Sequence, residues 1–193
     1  MPAILLAGLL LFSCGVKKES RARYYPIDSL VTAQVDYLAT SSASVQKITW
    51  LGETSDTVTV TPGTRENWLR ELDIFRELNA MNKPINQGKY TLEEELSDSR
   101  SNLKIKAFTG SEELPVRYLK VYYQGNDPEK VRKIEAEYNQ ANSMYKAARK
   151  LTMEFIDIHN KPVLIFYSIN GGQKVFLGDT VRYNVQGSVT LAN

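Results

Sequence analysis

The chain has 193 residues, 24 basic and 22 acidic, for a formal net charge of +2, with one cysteine, one histidine and eleven tyrosines. A near-neutral balance with no long single-sign block lacks the basic stripe of a nucleic-acid binder and sets that class aside. One histidine and one cysteine cannot make the usual His/Cys zinc site, and a lone cysteine leaves no disulfide, so the folded part must rest on its own core.

Residues Ala3 to Phe12 form an unbroken small or apolar run that meets Ser13 and Cys14. At about 1.5 Å per residue the run is too short to cross a hydrocarbon core of roughly 30 Å as a helix; it has the length of a signal-peptide apolar region. Leu11-Phe12-Ser13-Cys14 resembles the bacterial lipobox, with a leucine three before the cysteine and a small residue just before it. Phe12 is larger than the residue usual at its position, and no Lys or Arg precedes the run. The resemblance implies that residues 1–13 are a lipoprotein signal peptide, that acyl chains are attached at Cys14, and that the protein is lipid-anchored in the cell envelope. Gly15 does not match the aspartate retention signal, which by that analogy favours the outer membrane. An ordinary cleaved signal and a buried N-terminal strand are the alternatives.

Gly15 to Arg23, carrying Lys17, Lys18, Arg21 and Arg23, is charged and aperiodic. It reads as a solvated segment near a membrane surface, so residues 14–25 are assigned as a lipidated tether and 26–193 as a single strand-rich globular domain. About 170 residues suit one domain that buries about 70% of its unfolded surface.

From Pro26 the spacing of Ile27, Leu30, Val31, Val35 and Leu38 predicts a helix over 27–39, with Asp28 and Ser29 as cap-forming side chains near its start. Val45 to Leu51 and Asp56 to Thr61 are rich in β-branched residues and predict a hairpin across Gly52-Glu53-Thr54-Ser55. Thr64 can cap a second helix in which Trp68, Leu69, Leu72, Phe75 and Leu78 recur at three- and four-residue intervals, closed by Asn82-Lys83-Pro84.

Past residue 88, strands are predicted at Tyr90 to Leu96, Leu103 to Thr109, Val116 to Tyr123, Leu151 to Ile158, Val163 to Ile169, Lys174 to Leu177 and Val181 to Gly187. The segments between them are turn-like, and Asn170-Gly171 reads as a tight hairpin turn. Residues 129–150 carry two competing patterns. Val131, Ile134, Tyr138, Ala141, Tyr145 and Ala148 fall on helical spacing behind Asn126-Asp127-Pro128-Glu129, a strong helix start. The same stretch also forms a hairpin of Lys130 to Tyr138 with Met144 to Phe155 across Asn139-Gln140-Ala141-Asn142. The hairpin is favoured because YNQANSMYKAARKLTMEF resembles segments of meandering sheets in uncharacterised Bacteroidota-type envelope lipoproteins.

His159 lies in the turn-like HNKP and reads as a surface residue. Gly171-Gly172-Gln173-Lys174 lacks the first glycine and the Ser/Thr of a phosphate loop. Nucleophilic hydrolase motifs are missing, which leaves a carboxylate-dependent hydrolase on Glu93, Glu94, Glu95, Asp98 or Asp127 as the least supported reading. The expectation is a non-enzyme with no cofactor and no metal.

The fold class that follows is α+β: an antiparallel β-meander or half-barrel with two N-terminal helices packed on it. This layout is similar to that of the periplasmic lipoprotein carrier and its outer-membrane acceptor, in which a half-barrel over helices makes an apolar cleft for acyl chains. The likeness is architectural, without a diagnostic motif. It implies a lipid or other apolar ligand held by Trp68 and Phe75 on a covering helix and by Tyr122, Tyr145 and Tyr167 on strands, whereas the residues read by themselves favour core anchors for the helix aromatics and core or rim packing for the tyrosines. The alternative is a docking module for an envelope protein partner, using a sheet edge or a tyrosine-rich patch.

Overall fold

Short alternating segments dominate the chain, and they pair almost entirely with their sequence neighbours. The computed structural model describes residues 24–175 and 178–192; the signal-like run, Cys14 and the tether as far as Arg23 lie outside the described residues. Nine strands, β1 (Ser44–Leu51), β2 (Thr54–Val60), β3 (Thr91–Ser97), β4 (Leu103–Thr109), β5 (Val116–Gln124), β6 (Val131–Ala141), β7 (Tyr145–Ile158), β8 (Lys161–Val175) and β9 (Thr180–Thr190), form one open antiparallel sheet. Its order is β2-β1-β9-β8-β7-β6-β5-β4-β3: a seven-stranded meander whose last strand receives the N-terminal hairpin.

That order dictates where the second helix goes. The chain leaves β2 at one edge and must re-enter as β3 at the other, across eight strand spacings of about 4.8 Å each, or roughly 38 Å. Helix α2 (Arg65–Arg76) and the 3-10 turns Glu77–Asn82 and Pro84–Asn86 make this crossing. Thr64 caps α2 by accepting the Asn67 backbone N–H, as its sequence predicts. Helix α1 (Ile27–Thr40) starts after Pro26 with no side-chain cap, so the cap expected from Asp28 or Ser29 does not form; Asp28 instead pairs with Arg76 of α2 at 2.8 Å.

One cluster of buried residues joins Ile27, Val31, Val35 and Leu38 of α1, Trp68, Leu72 and Phe75 of α2, and strand residues from β1 and β4 through β9. Burial of this kind contributes about 1.5–3 kcal/mol per large side chain. Gln34 ties α1 to the β7–β8 hairpin: its Nε2 donates to the Pro162 carbonyl at 2.9 Å and its Oε1 accepts the Leu164 N–H at 2.8 Å. Tyr24 and Tyr25, assigned by sequence to the tether, belong to the domain; both pack on the core, and Asn82 accepts the Tyr24 N–H and donates to the Tyr25 carbonyl.

Residues 129–150 form the hairpin and not the helix, with the turn shifted to Asn142–Met144. Ile134, Ala136, Tyr138 and Ala147 are buried on the face towards the helices, with Tyr145 half-buried, while Lys133, Glu135 and Glu137 alternate with them on the other. The expected turn at Asn170-Gly171 is absent: both residues lie inside β8, which joins the two predicted strands 163–169 and 174–177 into one through residue 175. The glycine is there for a different reason, given below.

Candidate functional site

Of the five residues expected to line an apolar cleft, the fold brings three together. Trp68 and Phe75 lie about two turns apart on α2, and Tyr167 of β8 packs in the same core; all three are fully buried. The Phe75 and Tyr167 rings meet edge to face with centroids 5.9 Å apart. The Tyr167 hydroxyl donates to Glu71 of α2, whose carboxylate also takes the Lys47 ammonium of β1 at 3.0 Å. Burial, then the hydrogen bond to Glu71, drives the Tyr167 phenol far above its ordinary range, so it is a permanent donor at neutral pH. These three side chains are packed core with one polar tie, and the indole Nε1 of Trp68 is buried without a partner.

Tyr122 and Tyr145 lie elsewhere. Tyr122 is on the face away from the helices, in a small cluster with Ile105 and Ala107, and its hydroxyl donates to Glu135 at 2.5 Å. Lys133 stands over the Tyr122 ring at 5.0 Å from its centroid and bridges Glu135 at 2.5 Å. Burial and the Glu135 contact push the Tyr122 phenol up. Burial raises the Glu135 carboxyl, but hydrogen bonds from Lys133 and Tyr122 outweigh it and hold the carboxyl below its usual range. Tyr145 is half-buried at the first position of β7.

One open groove with a partly apolar lining lies beside α1. It has a volume of about 530 Å³ and runs between Leu30, Ala33 and Tyr37 of that helix and Pro162 and Val163 of β8. Periodicity placed Leu30 on the core face, so this groove was hidden in a helix stripe wider than the core needs.

Three of the five acids weighed for hydrolysis are engaged in structural contacts. Glu94 pairs with Lys106 at 2.6 Å, Asp98 accepts the Ser101 hydroxyl at 2.6 Å, and Asp127 accepts the Glu129 N–H at 3.0 Å. His159 is exposed and, with Asn160, has positive φ (52° and 60°), the two-residue turn between β7 and β8. Among the described residues no group of three His, Cys, Asp or Glu side chains is placed to hold a metal ion, and no helix is long and apolar enough to cross a membrane.

Compared with family models, curated proteins and solved structures, the chain matches none of them.

Proposed function

We propose that the protein is a lipid-anchored lipoprotein of the cell envelope, at the outer membrane, whose strand-rich domain is a binding module and not an enzyme. The observation that carries this reading is Leu11-Phe12-Ser13-Cys14 behind a ten-residue apolar run, with the cysteine the only one in the chain and a charged segment leading into the fold. Several acyl chains together make membrane attachment effectively stable, whereas one alone is marginal. Docking of an envelope protein is the use that the domain supports best: three of the five aromatic residues expected to line a cleft, Trp68, Phe75 and Tyr167, are packed in the core, and the sheet offers two edges.

The test is metabolic labelling of the full chain with a clickable palmitate, followed by membrane fractionation. Wild type takes the label and sediments with membranes; Cys14→Ser takes none and moves to the soluble fraction. An unlabelled wild type, or a Cys14→Ser chain that still sediments, overturns the anchor.

The open groove along α1 supports a second reading, an apolar-ligand carrier related in layout to the half-barrel lipoprotein carriers. It predicts that a fluorescent fatty-acid probe brightens on binding and that Ala33→Trp in the groove abolishes the response. An unresponsive wild type sinks this reading and leaves the anchor untouched.

A further inference from the structure

On the sheet face away from the helices, two adjacent strands present alanine and glycine amid a group of cations that extends onto a third. Ala148 of β7 is paired with Gly172 of β8, and Gly172 with Arg182 of β9. One row towards the turns, Lys146 stands directly opposite Lys174; one row back, Lys150 is paired with Asn170. The missing side chains leave a depression with two adjoining lobes of about 480 and 300 Å³, which share Ala148, Gly172 and Glu137.

Like charges directly opposite on neighbouring strands are destabilising, and here they are not offset locally. Among the described residues, Lys146, Lys150, Lys174 and Arg182 take part in no ion pair. Glu112 and Glu137, the acids that border the depression, are both taken by Arg117, at 3.0 and 3.2 Å. Lys146, Lys174 and Arg182 around a hollow floored by glycine and alanine, with Lys150 directly across from Glu137 at its side, are the electrostatic complement of a small anion.

Neighbouring polar groups narrow the class of anion. Asn139 borders the larger lobe, and Asn184 is paired with Asn170 beside the smaller; the side-chain oxygens of Asn139 and Asn184 are buried with no hydrogen-bond partner. Buried acceptors left open seek donors, and a bare phosphate at neutral pH has few to offer. Trp50 of β1 is next in the same cross-strand row, paired with Asn184, and is only half-buried. A partly exposed indole offers an apolar face for a sugar ring.

We propose that this depression binds a phosphorylated carbohydrate, with phosphate held among Lys146, Lys174 and Arg182 and ring hydroxyls towards Asn184 and Trp50. The same pairing of phosphate with ring hydroxyls occurs free in solution and in the headgroup of an inositol phospholipid. An acidic peptide would use the cations but leave the asparagines and the indole idle.

Isothermal titration of the purified, unacylated Cys14→Ser chain with glucosamine 1-phosphate, inorganic phosphate and glucose tests the site, alongside vesicles of phosphatidylcholine with and without phosphatidylinositol. Saturable binding of glucosamine 1-phosphate is expected, about tenfold tighter than inorganic phosphate, with no binding of glucose. Lys174→Glu/Arg182→Glu should weaken it by at least about a hundredfold. Gly172→Val fills the floor and should abolish it, and Gly172→Ala should weaken it while leaving the fold intact, since a Cβ at this position meets nothing closer than the Thr180 methyl at 3.6 Å. Stronger binding to the phosphatidylinositol vesicles places the source on a lipid; binding of the soluble sugar phosphate alone places it in solution. No saturable binding of either, affinity indifferent to these variants, or binding of a poly-glutamate peptide in place of the sugar phosphate overturns the proposal. Acylation at Cys14 plays no part in these titrations, so their failure leaves the anchor standing.

Discussion

Two tyrosines lie over two glycines where β8 and β9 pair, and the arrangement is reciprocal. Tyr167 of β8 covers Gly187 of β9, and Tyr183 of β9 covers Gly171 of β8. A Cβ on Gly187 would stand 2.1 Å from the Tyr167 ring, and one on Gly171 would stand 2.5 Å from the ring of Tyr183. Tyr167 cannot retreat: it is fully buried, packed edge to face on Phe75 and held by Glu71. Tyr183 is half-buried, with its hydroxyl accepting the Arg149 Nε–H at 3.0 Å, and has room to swing. Gly187→Ala should therefore cost about 3 kcal/mol and Gly171→Ala about 1 kcal/mol, with Gly172→Ala close to neutral. Urea denaturation checks the ranking; equal midpoints for the Gly187 and Gly172 variants would show that the ring contact is not what excludes a side chain. This pairing also explains why Asn170-Gly171 misleads in sequence. A glycine that makes space for a ring from a neighbouring strand looks the same as one that makes a turn, because the ring is twelve residues away.

At the scale of strands, the two edges of the sheet are built differently. β3 carries Glu93, Glu94 and Glu95, and its pairing with β4 is broken by an irregularity between Glu93 and Leu96 where Glu95 takes a positive φ of 58°. Charge and a bulge both blunt an edge against further pairing. β2, by contrast, is TSDTVTV: regular in register with β1, exposed along its length, and charged only at Asp56. Thr57→Lys should change stability by no more than about 0.5 kcal/mol and lower self-association at high concentration. Light scattering of the two chains checks this, and equal scattering would clear the β2 edge of any role in association. The β1–β2 hairpin was legible because alternation and Gly52 agree. The β6–β7 hairpin was not settled by periodicity, since Ile134 and Tyr138 satisfy a stride of four and two strides of two alike. The residue that could discriminate, Ala136, is small enough for either. Only the long-range pairing with β5 and the rest of β7 decides, and a local reading does not contain it. For the same reason Trp68 and Phe75 read in the sequence as core anchors against a sheet, while the meeting of Phe75 with Tyr167 across the layers does not. The cationic depression stays unseen there, because it forms across three strands.

The whole molecule couples its helices to its sheet through tyrosines, and this determines how it should respond to alkali. Tyr25 and Tyr138 are each pushed up to about 12, Tyr25 by burial and Tyr138 by burial and then by its hydrogen bond to Glu77 at 2.9 Å. Tyr167 is raised further still. Tyr25 precedes α1, Tyr138 reaches from β6 to the first 3-10 turn, and Tyr167 reaches from β8 to α2, so each phenol joins a helical segment to the rest of the core. A phenol whose folded pKa lies above the unfolded value of about 10 contributes stability that is fully present below pH 10 and is lost as pH rises towards the folded value. Unfolding free energy should therefore be level between about pH 8 and 9.5 and then fall through pH 12, by up to about 1.4 kcal/mol per pH unit for each such tyrosine. Lysine deprotonation near pH 10.4 also acts in this range, so the comparison that isolates the phenols is wild type against Tyr138→Phe and Tyr167→Phe. Each substitution should lower stability at pH 8 by removing a hydrogen bond, and each should flatten the fall between pH 10 and 12. Denaturant midpoints at each pH, with phenolate followed by ultraviolet absorbance, measure both effects. Parallel curves for the three chains would mean that the phenols ionise without loosening the helices, and that the sheet holds them by apolar packing alone.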